Sequence, residues 1–273
     1  ALTLLLLSAS LATFMSALDG TIVNIALPTI SEVFHLSTSS VAWVSTIYLL
    51  VMAGCLLIIG KAADVIGFKK IFLTGFALFT LGSFTCGYLP ELTGSFETLL
   101  ASRVLQALGG AMMTVIAPAM LSYYLPDEQR AKGLSLVVLF SAIGMALGPT
   151  LGGYLTEYIS WHWIFYINVP IGIFAVILGY LVIPKPAAAA ASFKGFDTFG
   201  AALAFIGLAA LLFAFSEGLA LGWTSAPIIL SLILAAAGLG GFIFHELRHP
   251  DPLLDLRLFK NRSFLTLNIL FAL

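Results

Sequence analysis

The sequence predicts an all-α polytopic membrane protein, and three observations carry that prediction. Of the 273 residues, 60% are hydrophobic and only 9% charged, with a mean hydropathy of +1.08. A soluble domain of this length needs a charged surface that such a composition cannot supply. The apolar residues gather into runs long enough to cross a bilayer, which takes roughly 20 residues of helix. Lys and Arg collect between those runs, and only in alternate intervals.

Eight spans and the start of a ninth follow in order. The first covers about 2–27; it lacks a basic n-region and continues past signal-peptide length into Asp19, so it is not a signal peptide. The second (about 41–60) and third (about 71–89) are joined by a very short turn, Gly60 to Lys70. The fourth covers about 98–125 and the fifth about 131–155. The sixth, about 163–183, opens on Trp161, Trp163 and Tyr166, an interfacial aromatic belt. Pro28, Pro90, Pro126 and Pro184 are expected at span ends, where a missing N–H is tolerated. Residues 184–197, with a run of five alanines, read as a linker after a first bundle, 1–183. The seventh span (about 198–216) and the eighth (about 226–246) follow, with Trp223 as an interfacial anchor between them. The charged stretch 248–263 is expected along the membrane face, before a ninth span from Phe264. The chain opens at Ala1 inside an apolar run and closes on half a span, so it reads as a fragment of a longer chain.

Charge sets the orientation. Lys61, Lys69, Lys70, Arg130, Lys132, Lys185, Lys194, Arg248, Arg257, Lys260 and Arg262 follow even-numbered spans, and the intervals after odd-numbered spans hold none. By the positive-inside rule the even loops and the N-terminus are cytoplasmic. The twelfth basic residue, Arg103, lies inside the fourth span.

Several function classes are excluded. A net charge of −1 without a long basic run gives no nucleic-acid surface. Cys55 and Cys86 sit in apolar stretches, and His35, His162, His245 and His249 fall in loops without ligand spacing, so no metal site is expected. No nucleotide loop or nucleophile–base pair appears, so neither an enzyme nor a cofactor is expected.

The chemistry rests on few residues. Asp19 is the single acid deep in a span, about 25 Å along the first helix and so in the outer part of the membrane. Such a carboxylate is protonated, paired or exposed to a watery cavity; with Thr21 and Asn24 nearby, a polar cap near a helix end is the alternative. Arg103 enters the fourth span to a similar depth and cannot shed its charge. Either it snorkels outward, or it and Asp19 face one cavity and hold each other's charge state. In the fifth span Gly144, Gly148 and Gly152 recur at i+4, giving a face for a close helix neighbour, and Pro149 favours a kink. In the second turn, Gly60 and Gly67 allow tight backbone geometry. Lys69 and Lys70 meet headgroups there, and Asp64 caps a helix or pairs with a basic residue elsewhere.

Together these residues resemble the major facilitator superfamily, in particular its fourteen-helix drug/proton antiporter branch. Leu18 to Pro28 is similar to that branch's first-helix signature. Gly60, Asp64 and Gly67 stand as in the superfamily's conformational-switch loop, with Val65 and Phe68 where basic residues are usual. Leu99, Arg103 and Gln106 resemble the fourth-helix motif, whose Arg serves proton coupling, with Ala107 in place of a Gly. Gly144, Gly148, Pro149, Gly152 and Gly153 match the antiporter motif, and Trp161 to Pro170 resembles the sixth-helix signature, with His162 where Arg is common. The resemblance implies a major facilitator fold: an N-terminal six-helix bundle, two inserted helices over 198–247, and the start of a C-terminal bundle over 248–273. It implies export of amphipathic or cationic small molecules in exchange for protons, across a plasma membrane such as the bacterial inner membrane. Asp19, Arg103, Asn24 and Gln106 would serve coupling and the substrate cavity. The partners of Asp64 and of the span-five glycine face would lie in the missing C-terminal half, and a membrane-fusion accessory protein is an admissible further partner. Two alternatives stay open: an exporter of one endogenous metabolite, lipid or peptide, and a non-transporting membrane sensor.

Overall fold

A computed structural model of the chain describes residues 2–184, 197–250, 252–262 and 264–266. Its regular elements are helices: α1 (Leu2–Val33), α2 (Thr38–Ile66), α3 (Phe68–Thr93), α4 (Phe96–Tyr124), α5 (Asp127–Tyr158), α6 (Trp163–Tyr166), α7 (Asn168–Val182), α8 (Thr198–Leu221), α9 (Ala226–Glu246) and a 3₁₀ turn, Leu256–Lys260. Residues this apolar are helical because lipid offers the backbone no hydrogen bonds, and a helix satisfies its own. Among the described residues, eight segments are long and apolar enough to cross a membrane, α6 and α7 together forming the sixth.

The helices overrun the predicted spans. α1 and α3 continue through Pro28 and Pro90 instead of ending there. Asp19 therefore falls near the middle of α1 rather than in its outer part. The turn between α2 and α3 shrinks to Gly67, whose φ of 92° places it in the region glycine tolerates. Gly60 and Asp64 lie in the last turns of α2, so Asp64 is an exposed helical residue and caps nothing. Lys69 does not simply reach for headgroups: its Nζ donates to the carbonyls of Tyr180 (2.7 Å) and Ile183 (2.6 Å), closing the C-terminus of α7, while Lys70 is exposed. A cation there also complements the helix dipole. His245 belongs to the last turn of α9, not to a loop. Most of the 184–197 linker and of the expected ninth span lies outside the described residues.

Contacts divide the chain into two compact units, Ala1–Ala191 and Ser192–Leu273. In the first, α1 packs chiefly on α5 and also meets α4, α2 and α7, while α3 lies between α4 and α7. Small residues permit the close crossings. A Cβ on Gly82 would come within 2.5 Å of the Gln106 nitrogen, so α3 and α4 touch backbone to backbone beside Gln106. In the second unit, α8 and α9 pair through Gly207 and Gly238.

The interior of the first unit is split into two apolar clusters. One gathers Met15, Tyr48, Phe79, Ala107 and Ala175; the other gathers Ile22, Val44, Cys86, Leu99 and Phe165. On α3, α4 and across the α6–α7 junction, residues between the clusters are polar and buried, Ser83, Arg103, Gln106 and Asn168, and on α1 the buried Asp19 follows Leu18 at the near edge of the second cluster. A polar waist separates two greasy halves.

Candidate functional site

Arg103 organises the waist. α4 is continuous from Phe96 to Tyr124, which sets Arg103 and Gln106 on one face at i+3. Arg103 Nη1 donates to Asp19 Oδ2 at 2.6 Å and to Gln106 Oε1 at 2.5 Å, and its Nε–H donates to the Val44 carbonyl at 3.0 Å. Its guanidinium carbon lies 4.2 Å from the Tyr48 ring centroid and 5.7 Å from that of Phe165, so aromatic faces cover what carboxylate and carbonyls leave.

Asp19 is matched just as fully. Its Oδ2 takes the Arg103 bond, and its Oδ1 accepts from Gln106 Nε2 (2.7 Å) and from Asn168 Nδ2 (3.4 Å). Gln106 is held from four sides: Nε2 also donates to Ser83 Oγ (2.8 Å), and Oε1 also accepts from Cys86 Sγ (3.6 Å). Reversing the amide would set Nε2 against the guanidinium and Oε1 against Asp19, so its orientation is fixed by charge.

Asp19 and Arg103 are 0% and 1% exposed. They meet each other inside the packed bundle, and neither is open to the surface among the described residues. Arg103 does not snorkel, and Asp19 caps no helix end. A buried charge is tolerable only when paired and hydrogen-bonded, and here both conditions hold. Asn24 lies apart: it is exposed, donates to the Gly20 carbonyl (3.3 Å) and accepts from Ser45 Oγ (2.8 Å).

The glycine motif is also placed differently from expectation. Gly144, Gly148 and Gly152 are buried against α1, not reserved for a second bundle. A Cβ on Gly144 would come within 2.5 Å of the Phe14 carbonyl oxygen, and one on Gly152 within 2.8 Å of that of Ile22. One on Gly148 would overlap Thr21. Pro149 is exposed in a helix that stays continuous through it, and Gly153 meets only the edge of Ile25. The motif seats α5 on the helix that carries Asp19.

Sequence reasoning missed Asn168, Ser83 and Tyr48 as members of the site. Asn168 sits in the quoted sixth-helix signature and was the available signal. Among the described residues its Oδ1 is buried without a hydrogen-bond partner. The burial of Cys86 gives a direct check. Cys86 is 0% exposed and Cys55 half-buried, so N-ethylmaleimide should modify Cys55 first and Cys86 only after denaturation, as read by mass spectrometry. Equal modification of both in the folded protein would contradict a closed waist.

Chemically, a cation reaching Asp19 would compete with Arg103 for the same oxygens, and loss of the carboxylate charge would leave Arg103 without its counter-charge.

The sequence matches the family described as the Major Facilitator Superfamily over residues 9–272. It is 36% identical over 261 residues to the riboflavin transporter RibZ of Clostridioides difficile, covering 94% of this chain and 54% of RibZ. It is 35% identical over 262 residues to the multidrug resistance protein Stp of Mycobacterium tuberculosis, covering 96% of this chain and 48% of Stp. The chain thus spans about half the length of these curated relatives. The crystal structure of a D-xylose–proton symporter has the same fold, with a TM-score of 0.58 at 15% identity over 90% of this chain and 67% of the symporter.

Proposed function

The chain belongs to the Major Facilitator Superfamily, and from that premise we propose that it serves secondary active export of amphipathic or cationic small molecules in exchange for protons. The chain is an integral membrane protein of a transporter family and not of an enzyme family. The observation that carries the finer reading is the ion pair of Asp19 and Arg103, buried at the waist where the two apolar clusters part. A bundle that needed only stability would gain as much from apolar residues at those positions. A charge pair that can be opened by a proton is useful in exchange.

In this reading a proton reaching Asp19 releases Arg103, and substrate leaves as the proton arrives. Gln106 and Asn168 keep the carboxylate positioned through the cycle. The glycine face of α5 keeps α1 and α5 in close register, so that a shift of either helix is felt at Asp19. Alternating access requires a second bundle, which would correspond to the half of the relatives' length that this chain does not span. The one-sided Lys and Arg distribution supports a cytoplasmic N-terminus, and the bacterial relatives fit a bacterial plasma-membrane setting.

The test is substrate-induced proton release from the purified full chain, with export followed in proteoliposomes. Asp19→Asn should lose both. Retention of both by that variant would remove Asp19 from the coupling role. RibZ, named as a riboflavin transporter, favours a second reading in which one metabolite is the substrate. Competition separates the two: unrelated dyes and cations compete with one another in a broad exporter and do not in a narrow one.

A further inference from the structure

The second unit brings together four side chains that the transport reading does not use. Asp197 caps the start of α8, its Oδ1 accepting from the Gly200 N–H (2.8 Å) and lying 2.9 Å from His245 Nε2 at the end of α9. His249 follows one turn later, its N–H bonded to the His245 carbonyl (2.9 Å), with the two rings 5.1 Å apart. One ligand atom each from Asp197, His245 and His249 lies within 4.8 Å of the others. Glu246 stands beside them, its Oε2 accepting from the Leu254 N–H at 3.1 Å.

The second observation is a pair of bare oxygens. Asp197 and Glu246 are each 4% exposed, and among the described residues Asp197 Oδ2 and Glu246 Oε1 have no hydrogen-bond partner. Both face the same small space beside Gly200: a Cβ there would overlap Asp197 Oδ2 and come within 3.0 Å of Glu246 Oε1. Two buried carboxylates turned toward each other with unused acceptors are costly unless something positive lies between them.

We propose that Asp197, His245 and His249, with Glu246 alongside, form a site for a divalent transition-metal ion such as Zn²⁺, which clips the start of α8 to the end of α9. Histidine nitrogens with carboxylate oxygens are a zinc donor set and discriminate against Mg²⁺ and Ca²⁺. The i,i+4 spacing of the histidines keeps both rings on one face, and the C-terminal carbonyls of α9 add a field that favours a cation. Metal distances of about 2.0–2.2 Å need the donors somewhat closer than they stand, which side-chain rotation supplies. A pocket of about 270 Å³ lies on the Glu246 and His249 side of the site, lined also by Asp255 and by Arg248 and Arg257.

The experiment is a Co²⁺ titration of the untagged, chelator-stripped full chain, read by visible absorption and followed by Zn²⁺ competition. One Co²⁺ per chain should bind, be displaced by Zn²⁺, and raise Tm. His245→Ala and His249→Ala should each weaken binding at least tenfold and remove the rise in Tm, whereas His35→Ala should change neither. Asp197→Asn keeps the helix cap without its charge and should also weaken binding. It therefore serves as the test if an alanine variant does not fold. Binding by the His245→Ala/His249→Ala double variant equal to the parent's would overturn the site. So would a Tm indifferent to Zn²⁺, which would leave Asp197 and His245 as an ordinary helix-capping pair.

Discussion

Replacing Arg103 by Ala is expected to destabilise the first bundle by about 3–5 kcal/mol, the usual cost of leaving a buried charge without its partner, and to abolish proton-coupled export. Asp19 would keep only Gln106 and the longer Asn168 contact, with no counter-charge within the waist. Arg103→Lys should rescue little, because a single ammonium cannot reach Asp19, Gln106 and the Val44 carbonyl together while also meeting the Tyr48 and Phe165 rings. The double variant Asp19→Asn/Arg103→Gln separates structure from function. It removes both charges together, so it should recover much of the stability lost in either single variant while export stays absent. Thermal unfolding in detergent and gradient-driven efflux from proteoliposomes read the two effects. A double variant that exports against a gradient would sink the coupling assignment, and an Arg103→Ala variant as stable as the parent would sink the structural one.

Gly144→Val should be the most damaging change on α5. Its side chain would run into the Phe14 carbonyl oxygen, a backbone atom that cannot rotate away, so α1 and α5 must separate. Overpacking of this kind costs about 1–3 kcal/mol, occasionally more. Because α1 carries Asp19, the same separation pulls the carboxylate from Arg103. Loss of export should therefore exceed what the loss of folded protein explains. Gly153→Ala and Gly20→Ala are the controls: the first adds an ordinary contact at 4.0 Å to Ile25, and the second meets nothing within 4 Å. Both should fold and export as the parent does. Equal damage from Gly153→Ala would mean that the motif acts through a surface other than α1.

Different links of the chain from sequence to function carried different amounts of information. The number and order of the crossing helices were legible, because a run of apolar residues in lipid has one way to satisfy its backbone. Their ends were not: α1 and α3 pass straight through Pro28 and Pro90, positions where neighbouring packing tolerates the missing hydrogen bond. Arg103 stood out by arithmetic, as the basic residue that topology did not explain, and Asp19 as the acid within a span.

Hydropathy and charge placement act residue by residue, and they alone mark out a membrane bundle with one unexplained cation and one unexplained carboxylate in it. That these two meet is a matter of helix packing. They are 84 positions apart, and whether side chains on different helices touch depends on the azimuth and depth of each helix, which packing sets. The same reason explains why Asn168 and Tyr48 went unseen in the waist, why the α5 glycines proved to face α1, and why Asp197 came to rest against His245. Each is a contact between faces, and a face has no partner until the helices are assembled.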